Sequence, residues 1–150
     1  MDIIQDPDER LHTKSIKVTD FQDVKEIVDK LISVTKEVDR PWKFWLGMAA
    51  PQVGYNKRIF ILRKSYRNYT VMVNPEVIEE KWLLPLLCKC YSLKGQLYLT
   101  RYHFWFKLKY QDMEDNYHTK ILRGGRAACL QQELDHINGI MLSDKGKRVL

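Results

Sequence analysis

Between Arg58 and Leu122 the apolar residues fall into strand-like runs, and no helix separates one run from the next. That order constrains the fold most, because a parallel pair needs a long crossover whereas an antiparallel pair needs only a turn. Arg58–Leu62 (RIFIL) and Thr70–Val73 (TVMV) read as strands ended by turn chemistry. Asn74-Pro75 reads as a break, and Val77–Trp82 as a further strand. Gln96–Thr100 alternates in the same way. His103–Tyr110 (HFWFKLKY) is longer and sets Phe104, Phe106, Leu108 and Tyr110 on one face. A polar turn over Asp112–Asn116 then returns the chain through Lys120–Leu122 as a hairpin.

Helical patterns flank these strands. Phe21, Val24, Ile27, Val28, Leu31, Ile32, Thr35 and Val38 recur at helical spacing, which predicts a helix over 20–38 capped by Thr19 or Asp20. Gly124-Gly125 introduces a second helix, from Arg126 to Asn138, with Gly139 closing it. The expected class is α+β: mostly antiparallel short strands packed around a C-terminal helix, plus an N-terminal amphipathic helix. The 150 residues carry no repeat and no low-complexity linker, so a single domain over 1–150 is expected.

Composition removes several function classes. The longest apolar run, Trp82–Cys88, is interrupted by Pro85 and is far shorter than the ~20 residues of a membrane span. The N-terminus lacks the basic-then-apolar order of a signal peptide. Three cysteines, at 88, 90 and 129, make an odd and sparse set that favours a reducing compartment. A cytoplasmic protein is expected, or an organellar one whose transit peptide lies outside this chain. The net charge of +6 reads as a solvated basic surface or as contact with an anionic neighbour such as a ribosome. No helix-turn-helix, zinc finger or RNP pattern accompanies it, so no sequence-specific nucleic acid is expected.

The chemistry concentrates on the second helix, in Gln132-Glu133-Leu134-Asp135-His136. Spacing of four puts positions 132 and 136 one above the other on one face. Two histidines so placed hold one metal, with the glutamate beside the first as general base; here the first histidine position is Gln132. Leu130, Leu134, Ile137 and Met141 fall on roughly the opposite stripe and anchor the helix in the core. Cys129 precedes Gln132 by one turn and reads as a buried small hydrophobe. Taken alone, a Glu and a His on one helix read as a surface pair or a core histidine.

Two further segments change that reading. Gly47-Met48-Ala49-Ala50-Pro51-Gln52, then Cys90-Tyr91-Ser92, then QQELDHINGIML together resemble the three motifs of the peptide deformylase family, in order and separation. The flanks agree: Pro7–Leu11 resembles the family's N-terminal strand entry, and RIFIL and MVNPEVIEE stand where the family has their counterparts. The resemblance implies removal of the formyl group from the N-terminal methionine of nascent polypeptides. The cofactor it implies is one divalent transition metal, iron(II), zinc or nickel, held by a cysteine and two histidines.

Carried over position by position, Cys90 and His136 are the implied metal ligands and Glu133 the implied general acid/base. The side-chain amide of Gln52 and the backbone N–H of Tyr91 are the implied oxyanion donors. Gly47, Met48 and Tyr91 are the implied substrate-binding residues. The partners implied are formyl-methionyl nascent peptides, with ribosome proximity.

This chain departs from the family at four places. Gln132 replaces the first motif histidine, and an amide oxygen is a harder, weaker donor than imidazole, so this ligand is expected to be weak or lost. Cys88 and Lys89 replace a glutamate and a glycine before the metal cysteine, and in an extended segment Cys88 points to the same side as Cys90. It stands either as a substitute ligand or as a core thiol packed among Leu86, Leu87 and their neighbours. Trp45 occupies a glycine position, where an indole narrows or covers the cleft. The apolar stretch before Cys88 reads as a buried loop, a docking surface, or both. An active enzyme with reduced or altered activity and a catalytically degenerate relative that binds peptides or a ribosome-associated partner both fit these departures.

Overall fold

The computed structural model describes residues 3–150. In chain order its elements are α1 (Val24–Val38), β1 (Gly47–Ala49), β2 (Ile59–Ser65), β3 (Asn68–Cys88), β4 (Tyr98–Gln111), β5 (Tyr117–Arg123), α2 (Gly125–Ile137), α3 (Leu142–Lys145) and β6 (Lys147–Arg148). Short 3-10 turns cover Glu9–His12, Phe21–Asp23 and Ala50–Val53. The strands run β1-β2-β3-β4-β5 with every neighbour antiparallel, and β6 adds to β4. The α+β class with an antiparallel sheet therefore stands.

Strand β2 is the pivot of the core. Ile59 and Ile61 face α1, where they meet Val24, Ile27, Val28, Leu31 and Val34. Phe60 and Leu62 face the other way and pack with Phe106, Leu108 and Leu122 beneath Leu130, Leu134 and Ile137 of α2. Period-two alternation thus feeds two helices from one strand. Burying each of those three α2 side chains stabilises its docking by about 1.5–3 kcal/mol. A third cluster gathers Leu11, Cys88, Cys90, Tyr98, Tyr102, Ala128 and Met141 at the end of the sheet where the motif helix passes. Met141 is buried as expected, but it lies beyond the end of α2, at the start of α3.

Several expectations are corrected. The strands are not all short: β3 runs 21 residues and β4 runs 14. Asn74-Pro75 does not break the chain. Asn74 takes a left-handed φ of 49°, and the β3–β4 register shifts between Val73 and Glu76. The reason is a side-chain substitute for the ladder. Asn74 Oδ1 accepts from Val18 N at 2.8 Å, and its Nδ2 donates to Val18 O and Gln111 Oε1, each at 2.8 Å. A bulge therefore carries the strand through. Gln96–Thr100 and His103–Tyr110 belong to one strand from Tyr98, with Gln96 and Leu97 outside it. The segment that resembles the family's N-terminal strand entry leads into a 3-10 turn capped by Asp8.

The apolar stretch before Cys88 is not a buried loop. It is the outer half of β3, paired to β4 along one edge, with Trp82, Leu83, Leu84 and Leu87 exposed. Pro85 lacks an N–H and is tolerated in such an edge strand. Helix α1 starts after a 3-10 turn at whose head Asp20 accepts from Gln22 N, and α2 ends at Ile137, with Gly139 beyond its cap at a φ of 74°. No helix among the described residues is long and apolar enough to cross a membrane.

Candidate active site

Three elements bring the sequence-selected residues together: β1 with the turn that follows it, the loop after β3, and α2. Cys90 is buried in that loop, and its Sγ lies 3.3 Å from Nε2 of His136 on α2. A tetrahedral metal with ordinary Zn–S and Zn–N bonds separates its sulfur and nitrogen by about 3.6 Å. The pair therefore has the bite of two ligands to one ion. Ser92 N donates to Cys90 Sγ at 3.4 Å.

Glu133 sits one turn before His136, fully inside the protein, and its Oε1 has no hydrogen-bond partner. Gly47 gives it room. A Cβ at position 47 would lie 2.8 Å from both Cγ and Oε2 of Glu133. Met48 is completely buried in the α1 core, so only its backbone can meet a ligand. Gln52 is also buried. Its Oε1 accepts from Ala49 N at 3.0 Å, which turns Nε2 toward Ser92 Oγ at 3.2 Å and Cys90 Sγ at 3.9 Å. The amide donor thus faces the Cys90–His136 pair.

Burial holds the three ionisable groups in their neutral forms. It pushes Glu133 up to about 8, with the charge of Asp135 adding to the effect. It pushes Cys90 up to about 12, against the Ser92 amide and with the Glu133 charge. It pulls His136 down to about 4. A cation among them would reverse this balance, since thiolate and carboxylate are both stabilised by positive charge.

The third corner is different. Gln132 Nε2 donates to the carbonyl of Lys89 at 3.1 Å, tying α2 to the Cys90 loop through the amide nitrogen. Among the described residues no third His, Cys, Asp or Glu joins Cys90 and His136. Cys88 is buried at the end of β3, with its Sγ 3.8 Å from the carbonyl of Leu86, in the cluster with Leu11 and Tyr102. His136 Nδ1 also lacks the partner that a ligating imidazole usually has. The donor set fits a soft transition metal at two corners, with only an amide near the third.

Cys90 lines a cleft of about 530 Å³ bounded on one side by Lys43, Phe44 and Trp45 and on the other by Lys89 and Tyr91. Trp45 is 60% exposed and separates this cleft from a second cavity in front of half-buried Cys129. Its indole rests on Gly125 at the start of α2. Sequence reasoning gave no site role to Ser92, Gly125 or Lys43, although Ser92 stood in the second motif and Gly125 at the start of the second helix.

Residues 1–149 match the family described as polypeptide deformylase. The chain belongs to that family. A peptide deformylase of Wolbachia sp. subsp. Drosophila simulans (strain wRi) is 32% identical, over 93% of this chain and 83% of that protein. One of Zymomonas mobilis is 31% identical, over 98% of this chain and 86% of that protein. The peptide deformylase crystal structure from Plasmodium falciparum superposes with a TM-score of 0.86 at 30% identity, covering 97% of this chain and 86% of that one. The Thermotoga maritima peptide deformylase gives 0.86 at 27% identity, covering 95% of each chain. The deformylase family is metal-dependent, which agrees with the bite of Cys90 and His136.

Proposed function

We propose that this chain hydrolyses the N-formyl group from formyl-methionyl nascent peptides, at a metal that Cys90 and His136 would hold and Gln132 would support only weakly. A bound ion would supply Lewis acidity for activating water. Glu133 is the acid/base: its carboxylate, the form that a cation beside it would favour, takes a proton from the attacking water and returns it to the leaving amine. Gln52 Nε2, aimed by Ala49, donates to the oxyanion that develops on the formyl carbonyl, and Tyr91 N–H is the second donor. The backbones of Gly47 and Met48, with Tyr91, line the place of the methionyl residue. Free cysteines at 88, 90 and 129 suit a reducing, cytoplasmic setting close to nascent chains.

The observation that carries this reading is Glu133. A fully buried carboxyl with an unpartnered oxygen, set against a glycine that leaves it space and one turn from the Cys90–His136 pair, costs stability, and such groups concentrate where chemistry uses them. One observation favours a second reading, a degenerate relative that binds peptides or a ribosome-associated partner. The side chain at the third metal corner commits its amide nitrogen to the Lys89 carbonyl. The deciding experiment is an oxygen-free preparation assayed side by side for bound metal and for formate release from a formyl-Met peptide. Metal-dependent release that Glu133→Gln abolishes supports the enzyme. A metal-free chain with no turnover supports the binder.

A further inference from the structure

The cleft at Cys90 is cationic as well as aromatic. Among the described residues, Lys43, Lys89 and Lys94 line it and no acidic side chain does, while Phe44, Trp45 and Tyr91 supply apolar walls. Lys89 and Lys94 are exposed and have no carboxylate partner among the described residues, so their charges are available to a ligand. Lys43 crosses the cleft. Its Nζ lies 4.8 Å from the centroid of the Tyr91 ring and hydrogen-bonds the Tyr91 hydroxyl, joining the segment before β1 to the loop after Cys90.

We infer that the cleft selects peptides whose residues after the N-terminal methionine are acidic. This rests on the deformylase reading for the methionyl end of the ligand, and the selection acts on the residues beyond that end. A chain leaving the Cys90 end of the cleft passes between Lys89 and Lys94 on the loop after β3 and Phe44 and Trp45 on the segment before β1. Carboxylates meet ammonium groups there, whereas lysine or arginine side chains meet like charge and no compensating acid. The aromatic walls give the intervening apolar atoms a surface. The lysines are solvent-facing, so the preference is modest and salt-sensitive.

The test uses the intact chain with three formyl-methionyl peptides of equal length, carrying acidic, neutral or basic residues after methionine. Affinity is read from tryptophan fluorescence and turnover from formate release, on the same samples. The expected result is roughly tenfold tighter binding of the acidic over the basic peptide at low salt. The gap should close in half-molar salt and in the Lys89→Gln/Lys94→Gln double variant. Equal affinities for the three peptides at low salt, with or without turnover, overturn the inference. A charge preference without formate release from any peptide overturns the deformylase reading alone and leaves the cleft assignment standing. The salt series on the unaltered chain keeps the test decisive should the double variant fold poorly.

Discussion

The indole of Trp45 occupies the space that a side chain at Gly125 would fill, so a bulky residue in the chain before β1 and a bare position at the start of α2 form one packing unit. This pairing is how the fold accepts an indole at the rim of the cleft. It also places Trp45 as the partition between the Cys90 cleft and the cavity in front of Cys129.

The pair should therefore be energetically coupled. Gly125→Ala brings a helix-propensity gain of up to about 1 kcal/mol but pushes into ring atoms, not a flexible chain end. We expect the single variant to be destabilised. Trp45→Gly should recover most of the loss in the double variant. Urea unfolding of the four proteins should give a coupling of about 1 kcal/mol or more. Additive effects would break the claim.

Gly47→Ala tests the space left for Glu133. The new methyl carbon would sit 2.8 Å from Glu133 Cγ and Oε2, inside contact distance, and both residues are on elements fixed by the core. Overpacking of this kind costs about 1–3 kcal/mol. Formate release should fall further than stability does, because the carboxyl itself is what moves. A variant with normal turnover would mean that the position of Glu133 is not critical.

Acid stability should depend on a buried carboxylate that is not one of the site's own groups. Asp39 is buried, and burial alone would raise its pKa. The Tyr69 hydroxyl (2.7 Å to Oδ2), the Arg67 amide (2.9 Å) and the Arg63 guanidinium outweigh burial and hold it below the ordinary 3.8. A carboxylate with a depressed folded-state pKa binds its proton more readily when unfolded. Its contribution is thus present above the unfolded value and is lost as the pH falls through the folded one. Stability followed from pH 6 down to pH 2 should drop at the acid end, and Asp39→Asn should flatten that part of the profile. At neutral pH, Asp39→Ala leaves Arg63, whose Nε is 2.9 Å from Asp39 Oδ1, without its counter-ion at a largely buried position, at a cost of about 3 kcal/mol.

Much of this architecture was legible in the sequence because local periodicity decided it. Helices α1 and α2 and the β4–β5 hairpin follow from apolar spacing and a polar turn, within a few residues at their ends. What stayed hidden depended on contacts across long separations. The bulge at Asn74 needs Val18 and Gln111, and the bare position at 125 needs Trp45. The site shows the same division. The family resemblance pointed to Cys90, Gln52, Glu133 and His136, which the fold does gather. The orientation of the Gln132 amide, and the burial of Cys88 beside Tyr102, are set by neighbours that no short motif records.

Gln132 is where fold and chemistry pull in different directions. As it stands, its side chain ties α2 to the Cys90 loop through the Lys89 carbonyl, a link worth about 1 kcal/mol. Gln132→Ala should lose that much in unfolding experiments and gain no metal. Gln132→His gives up the same link but adds an imidazole on the face that already carries His136, completing two nitrogens and a thiolate about one ion. Imidazole outranks an amide oxygen for such metals, so metal retained after dialysis should rise by about tenfold or more, with formate release rising in step. The stability of the metal-free histidine variant should match that of Gln132→Ala, because both lack the Lys89 link. If histidine raises neither metal content nor turnover, the third corner is not what limits this site. The limit then lies in the remaining departures around Cys90, with Lys89 and Trp45 at the cleft and Cys88 behind it.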